Sequence, residues 1–321
     1  MSGTEETLSR LAAVPSLQVS SCVPLSRYTR FGIGGQADIY AETGDVEAFI
    51  AAMAIARESG LDLVVIGGGT NLIVSDAGFR GVVLRFVAAR LMAAGNRVVC
   101  DAGVVLQDLV DFSIDHGLGG LETLAGIPGW AGAAVYGNAG AYGHSISERV
   151  HKVRFLDGGV VRLFDRDECE FRYRESIFKE HKEWIILSTE LILEPGDAAM
   201  LRKTAEGILK VRNQKFPPTM KCAGSIFKNF LVAELPAAVA AAIPATMVRE
   251  GKAPAAYFLE QVGAKGMVHG DIHIASYHAN LIYNGGEGTA RELCEVIGEL
   301  KTRVRERFAI EVEEEVQYVG F

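Results

Sequence analysis

The sequence predicts an α+β fold, and three observations carry that expectation. Strand-like and helix-like segments both recur along the 321 residues, but never in the regular strand-helix alternation that a parallel α/β sheet requires. The composition, 49% hydrophobic and 22% charged, is that of an ordinary globular protein. A chain of this length can bury more than one core, so two or three subdomains are expected.

The elements follow in order. Residues 45–60 read as an amphipathic helix: Asp45 can cap it, Val46, Phe49, Ile50 and Met53 share a face, and Gly60 stops it. Residues 61–66 are a short buried strand that runs into three consecutive glycines. Strands are expected at 81–86 and 97–102, and a helix at 106–116 ending at Gly117. A second glycine-rich stretch occupies 125–143. Strand-like runs at 150–156, 160–164 and 184–193 suggest a mainly antiparallel sheet. Residues 197–213 are helical and lead into Lys215-Phe216-Pro217-Pro218, a plausible boundary. Beyond it come an alanine-rich helix at 235–249, a helix near 254–262, and strands around 267–274 and 280–283. The last helix opens on a capping-box pattern, Thr289 with Glu292, and Leu293, Val296, Ile297, Leu300 and Val304 form its apolar stripe.

Bulk properties narrow the function. A net charge of −8 argues against a nucleic-acid surface, which needs clustered Lys and Arg. The first 30 residues lack a basic start followed by an apolar core, and the longest aliphatic stretch, 237–248, is broken by Pro244 and too short to span a bilayer. No membrane insertion is expected. Five cysteines, an odd number without close pairs, read as reduced thiols and point to the cytoplasm.

The two glycine-rich stretches are the strongest functional signal. Residues 125–143, AGIPGWAGAAVYGNAGAYG, hold six glycines together with Ile127, Trp130, Val135, Tyr136 and Tyr142, which a solvated loop would not carry. Such a run lets main-chain N–H groups crowd around a flat or anionic ligand. The strand at 61–66 delivers Gly67-Gly68-Gly69-Thr70-Asn71-Leu72. A dinucleotide fingerprint would need a third spaced glycine where Leu72 stands and a helix directly afterwards; both are missing, so a nest of N–H groups around a pyrophosphate is preferred.

Together with Arg30-Phe31-Gly32-Ile33-Gly34-Gly35, then Tyr173-Arg174-Glu175-Ser176, Gly224-Ser225-Ile226-Phe227-Lys228-Asn229 and the segment 308–320, these stretches resemble the UDP-N-acetylenolpyruvoylglucosamine reductase family in order and approximate spacing. The resemblance covers about residues 28–320. It implies a two-part FAD-binding domain of the vanillyl-alcohol-oxidase/PCMH type plus an α+β substrate-binding domain, divided here as 1–87, 88–213 and 214–321. It also implies FAD as cofactor, NADPH as co-substrate, and reduction of UDP-N-acetylglucosamine enolpyruvate to UDP-N-acetylmuramate. The link to FAD is expected to be non-covalent, because neither 30–35 nor 67–72 contains a histidine or cysteine. The direct run from Leu193 through one helix to Lys215 resembles the family's shorter branch.

Roles transfer residue by residue. Gly67, Gly68, Gly69, Thr70, Asn71 and Leu72, with Gly126, Ile127, Pro128, Gly129, Gly132, Asn138, Gly140, Ala141 and Gly143, are the implied cofactor-binding residues. Arg174 is the implied cation for the substrate carboxylate; Arg172, two residues away, is a rival by sequence alone, and only the motif register favours Arg174. Ser225 is the implied proton donor and Glu315 an implied neutral acid beside it or beside the enolate. Tyr173, Lys215 and Asn229 are implied substrate contacts. The family often has proline before the glutamate, and Glu314 stands there. His269, Asp271 and His273 alternate on an expected strand with His278 nearby, yet ligand types alone are a weak signal and no metal is expected. Two rivals remain: an oxidoreductase of the same scaffold acting on another substrate, and a non-catalytic flavin or UDP-sugar binding protein.

Overall fold

The computed structural model describes residues 3–321. Its chain forms two compact units. One contains residues up to Val23, Ala37–Gly69 and Arg80–Pro218; the other contains Pro24–Gln36, Thr70–Phe79 and Thr219–Phe321. Both mix helices and strands, as an α+β fold requires.

The first unit is built on two sheets. One has four strands in the order Gln18–Pro24, Gln36–Thr43, Phe79–Phe86, Asp62–Val65, the last two parallel in the register Asp62 to Gly81. The other has five, Val160–Asp165, Val150–Asp157, Ile185–Ile192, Arg97–Asp101 and Leu91–Ala94, antiparallel throughout. Helix Val46–Glu58 starts where the sequence says, with the Asp45 carboxylate accepting from the Ala48 N–H at 2.8 Å. Its Phe49, Ala52, Met53 and Ala56 are buried in a core shared with Val82, Leu84 and Phe86. The core of the second sheet is aromatic: the rings of Phe155, Phe164, Phe178 and Trp184 pack with centroids 4.7–6.5 Å apart.

The second unit holds an antiparallel sheet ordered Lys221–Ser225, Leu281–Asn284, Ile272–Ile274, Val268–His269. Helix Ala290–Phe308 carries the full Thr289/Glu292 capping box, and all five residues of its expected stripe are buried. After it the chain turns at Ala309 (φ 53°) and returns as an extended strap whose end, Gln317–Val319, pairs in parallel with Leu72–Val74.

Three expectations fail here. Residues 235–249 are not one helix but Ala237–Ala242 followed by a 3-10 turn at Ala245–Met247, because Pro236 and Pro244 each reset the backbone and no apolar stripe there finds a core. Residues 267–274 are not one strand but a hairpin turning at Gly270 (φ 57°). The glycine-rich stretch is not all loop: Ala131–Tyr136 is helical, and Gly140–Ala141 forms a hairpin with His144–Ser145.

Candidate functional site

The glycines of 67–69 sit at the exit of strand Asp62–Val65. Ile66 still donates to the Leu84 carbonyl, but among the described residues the N–H groups of Gly67, Gly68 and Gly69 meet no acceptor. Gly69 adopts φ 66°, the left-handed turn that lets successive N–H groups converge. Partly buried donors without protein partners are what a diphosphate would satisfy, so the segment fits the expected FAD.

The second glycine stretch lies beside the first. A Cβ on Gly68 would meet Trp130 Cδ1 at 3.1 Å, and one on Gly67 would come within 3.8 Å of Trp130 and Ala133. Arg85 holds this junction: its Nε donates to the Gly67 carbonyl at 3.2 Å, its guanidinium lies 4.5 Å from the Trp130 ring centroid, and its Nη1 reaches Tyr40 Oη and Glu42 at 2.9 and 3.2 Å. Sequence reasoning gave Arg85 no role; a lone arginine inside the apolar run Val82-Val83-Leu84-Arg85-Phe86 was the available signal.

Several residues of the second stretch also have protein partners of their own. The N–H groups of Gly126, Ile127 and Gly132 are taken by Gln107 Oε1, Leu124 O and Ala102 O. Cβ atoms at Gly132 and Gly140 would strike Ala102 Cβ at 2.6 Å and the His144 carbonyl at 2.4 Å, so close protein packing demands those glycines. Gly129 and Trp130 keep N–H groups with no acceptor among the described residues.

Asn138, buried at φ 42°, donates to the Arg172 carbonyl at 2.8 Å and accepts from the Ser147 N–H at 3.4 Å. It thereby anchors the hairpin in which Arg172 and Glu175 exchange backbone hydrogen bonds, both 3.1 Å, and Tyr173 and Arg174 form the tip. Arg174 sits at φ 60°, a strained conformation for a side-chain-bearing residue. Its Nη2 donates to Gly140 O at 3.0 Å and its guanidinium lies 5.2 Å from the Tyr173 ring centroid. Arg172 points elsewhere, into an exposed ion pair with Glu180. Ser176, fully buried, donates to the Tyr136 carbonyl at 2.6 Å, and Lys179 Nζ to the Arg174 carbonyl at 2.9 Å. Arg174 is thus brought to the glycine stretch within the first unit.

Within the second unit, Ser225, Glu315 and the exit of the first glycine loop come together. Ser225 ends its strand opposite Leu281, and the Ile226 carbonyl one residue on accepts from the Glu315 N–H at 2.7 Å. Lys228 N–H donates to the Glu313 carbonyl at 2.8 Å. On the other side, Asn71 Nδ2 donates to the Glu315 carbonyl at 2.8 Å, and Asn71 O accepts from Gln317 N–H at 2.9 Å. Leu72 pairs with Gln317 in the strap. Asn229 Oδ1 accepts from Ala255 N–H at 3.2 Å.

Lys215 closes the long helix Ala198–Lys215 of the first unit; burial and the neighbouring Arg212 push its ammonium pKa down, and its Nζ lies 5.2 Å from the Phe216 ring centroid. The histidines do not assemble: His269 pairs with Glu295 at 2.7 Å and His273 with Asp271 at 3.1 Å, across the Gly270 turn from each other. Among the described residues no three His, Cys, Asp or Glu side chains could share a metal ion. An open groove of about 470 Å³ along the long helix, lined by Tyr142, Met200, Ile208 and Val211 among others, contains none of the expected catalytic residues.

Comparison with known proteins adds to this geometry. The family profile described as UDP-N-acetylenolpyruvoylglucosamine reductase, C-terminal domain, matches residues 216–319, and an FAD binding domain profile matches residues 37–163. A UDP-N-acetylenolpyruvoylglucosamine reductase of Solibacter usitatus is 70% identical over 311 residues, covering 97% of this chain and 100% of its own length. The one from Rubrobacter xylanophilus is 35% identical over 300 residues, covering 92% and 94%. The crystal structure of the Thermus caldophilus enzyme superposes with a TM-score of 0.73 at 26% identity, covering 94% of this chain and 99% of that one.

Proposed function

This chain belongs to the UDP-N-acetylenolpyruvoylglucosamine reductase family, and from that premise and the site's own geometry we infer which residues do its work. The enzyme is an FAD-dependent oxidoreductase that uses NADPH to reduce UDP-N-acetylglucosamine enolpyruvate to UDP-N-acetylmuramate, a step of peptidoglycan synthesis. Bound FAD would supply hydride chemistry at the vinyl CH₂ of the substrate, with NADPH as the reductant. Everything else falls to the chain.

Gly67, Gly68 and Gly69 hold the cofactor diphosphate with their unpartnered N–H groups, joined by those of Gly129 and Trp130. Addition of hydride at CH₂ leaves a carbanion on the adjacent carbon, delocalised into the carboxylate. Arg174, preset at its hairpin tip, binds that carboxylate and stabilises the enolate. The Ser225 hydroxyl gives its proton to the carbanion carbon, and Glu315 acts as a neutral acid beside the serine or the enolate. Tyr173, Lys215 and Asn229 contact the sugar nucleotide; the neighbouring cations Lys215 and Arg212 suit a diphosphate. We place the enzyme in the cytoplasm, where NADPH is held and where its five free cysteines stay reduced; no helix among the described residues is long and apolar enough to cross a membrane.

The observation that carries this reading is the strap: one extended segment bonds both to Ile226, beside Ser225, and to Asn71, at the exit of the glycine nest. The test is to reduce the enzyme with NADPH without oxygen, add the enolpyruvyl substrate, and identify the product by mass. Flavin reoxidised with one equivalent of UDP-N-acetylmuramate formed is expected. Reoxidation only by a different acceptor would favour the same-scaffold rival.

A further inference from the structure

Glu314 is a half-buried carboxylate of the strap that the proposed mechanism does not use. Its side chain is only 16% exposed and bonds Lys301 Nζ, on the last helix, at 2.6 Å. The Tyr318 hydroxyl, four residues along the strap, donates to the same carboxylate, which together with burial pushes that phenol pKa up. A half-buried carboxylate held by an ammonium and a phenol is an expensive feature to keep unless its geometry is used.

The local pairing says what it can do. Phe227 and Glu314 face each other as an antiparallel pair, flanked by Lys228 N–H to Glu313 O and Glu315 N–H to Ile226 O. That pattern leaves the Glu314 N–H outside the ladder, so at this residue the strap is tied to the last helix by its carboxylate and not by its own N–H. Successive side chains of an extended segment point to opposite faces. Fixing the Glu314 carboxylate against the helix therefore fixes the direction of its neighbour.

We propose that Glu314 is a positioning residue: held by Lys301 and Tyr318, it keeps the strap seated against the last helix and so steadies the aim of the neighbouring Glu315 carboxyl. The inference rests on the reading of Glu315 as a proton-handling group. It concerns only the step in which substrate oxidises the reduced enzyme, since reduction by NADPH needs no such group.

The test uses the holoenzyme and follows both half-reactions by stopped flow, with flavin content and melting temperature as controls. Glu314→Ala should slow oxidation by the enolpyruvyl substrate by ~10-fold to 10²-fold, the cost of a misplaced group, and leave reduction by NADPH unchanged. Glu314→Gln, which keeps an acceptor oxygen for Lys301 and Tyr318, should stay within ~3-fold of the parent, and Lys301→Met should slow the same step without adding to Glu314→Ala. In a Glu315→Gln background, Glu314→Ala should cause no further slowing. Additive slowing in that background, or a lower melting temperature with an unchanged oxidation rate per bound flavin, would overturn the proposal. Should Glu315→Gln alone leave oxidation untouched, the reading of Glu315 falls and the inference with it, a result distinct from either of those.

Discussion

Asn71, two residues after Gly69 in sequence, holds Glu315: its Nδ2 donates to the Glu315 carbonyl at 2.8 Å across 244 residues of sequence. Its own carbonyl accepts from Gln317 N–H at 2.9 Å. One amide thus ties the proposed cofactor loop to the proposed acid. Asn71→Asp replaces the donor with an acceptor facing a carbonyl, and should cost about 0.5–1.5 kcal/mol of stability. Oxidation by substrate should slow more than reduction by NADPH. Equal effects on the two half-reactions would mean that Asn71 serves the cofactor alone.

Arg174 at φ 60° sets function against stability. Glycine takes that conformation without the penalty of about 1 kcal/mol borne by a residue with a Cβ. Arg174→Gly should therefore melt no lower than the parent while substrate turnover falls by ~10²-fold to 10³-fold, the scale of one lost transition-state donor. Arg172→Ala, which breaks only an exposed ion pair with Glu180, should change turnover little. Reversed outcomes would transfer the role to Arg172.

Much of the fold was legible because its signals are local. The Thr289/Glu292 box and the stripe of Leu293, Val296, Ile297, Leu300 and Val304 lie within one helix, and all appear as expected. Failures came where long-range packing or proline decides: residues 235–249 read as helix by alanine content, yet Pro236 and Pro244 divide them. The site was legible only in part. Arg172 and Arg174 are indistinguishable by chemistry, and a bond between Asn71 and Glu315 has no trace in either segment. At Gly132 and Gly140 packing against Ala102 and His144 by itself requires glycine, a constraint that the glycine content alone did not reveal.

Gly132 gives a direct check of that constraint. A Cβ there would lie 2.6 Å from Ala102 Cβ, a buried contact with no room to relax. Gly132→Ala should cost about 1–3 kcal/mol, the scale of core overpacking. A variant that melts like the parent but no longer retains FAD would point to a ligand-facing role for this glycine instead.

Two buried thiols predict an alkaline limit. Burial pushes the Cys100 and Cys169 thiols from their ordinary value near 9.0 up to about 12. A raised folded-state pKa means that the unfolded chain loses its proton first. The stability these thiols contribute is complete below pH 9 and is lost as pH rises toward 12, on the order of 1 kcal/mol per thiol by pH 10. Melting temperature between pH 8.5 and 10.5 should fall less steeply in Cys100→Ala and Cys169→Ala than in the parent, and an equal slope would contradict the account. At pH 8 the exposed Cys22 should react with a thiol reagent and these two should not.

The central claim, that Ser225 protonates the substrate carbanion, is tested most directly by following the two half-reactions of Ser225→Ala separately in a stopped-flow instrument. Reduction of the bound flavin by NADPH involves no proton transfer to a vinyl carbon and should proceed at nearly the parent rate. Reoxidation by UDP-N-acetylglucosamine enolpyruvate should slow by ~10²-fold to 10⁴-fold, the usual worth of a general acid. Reoxidation at the parent rate would remove Ser225 from the mechanism.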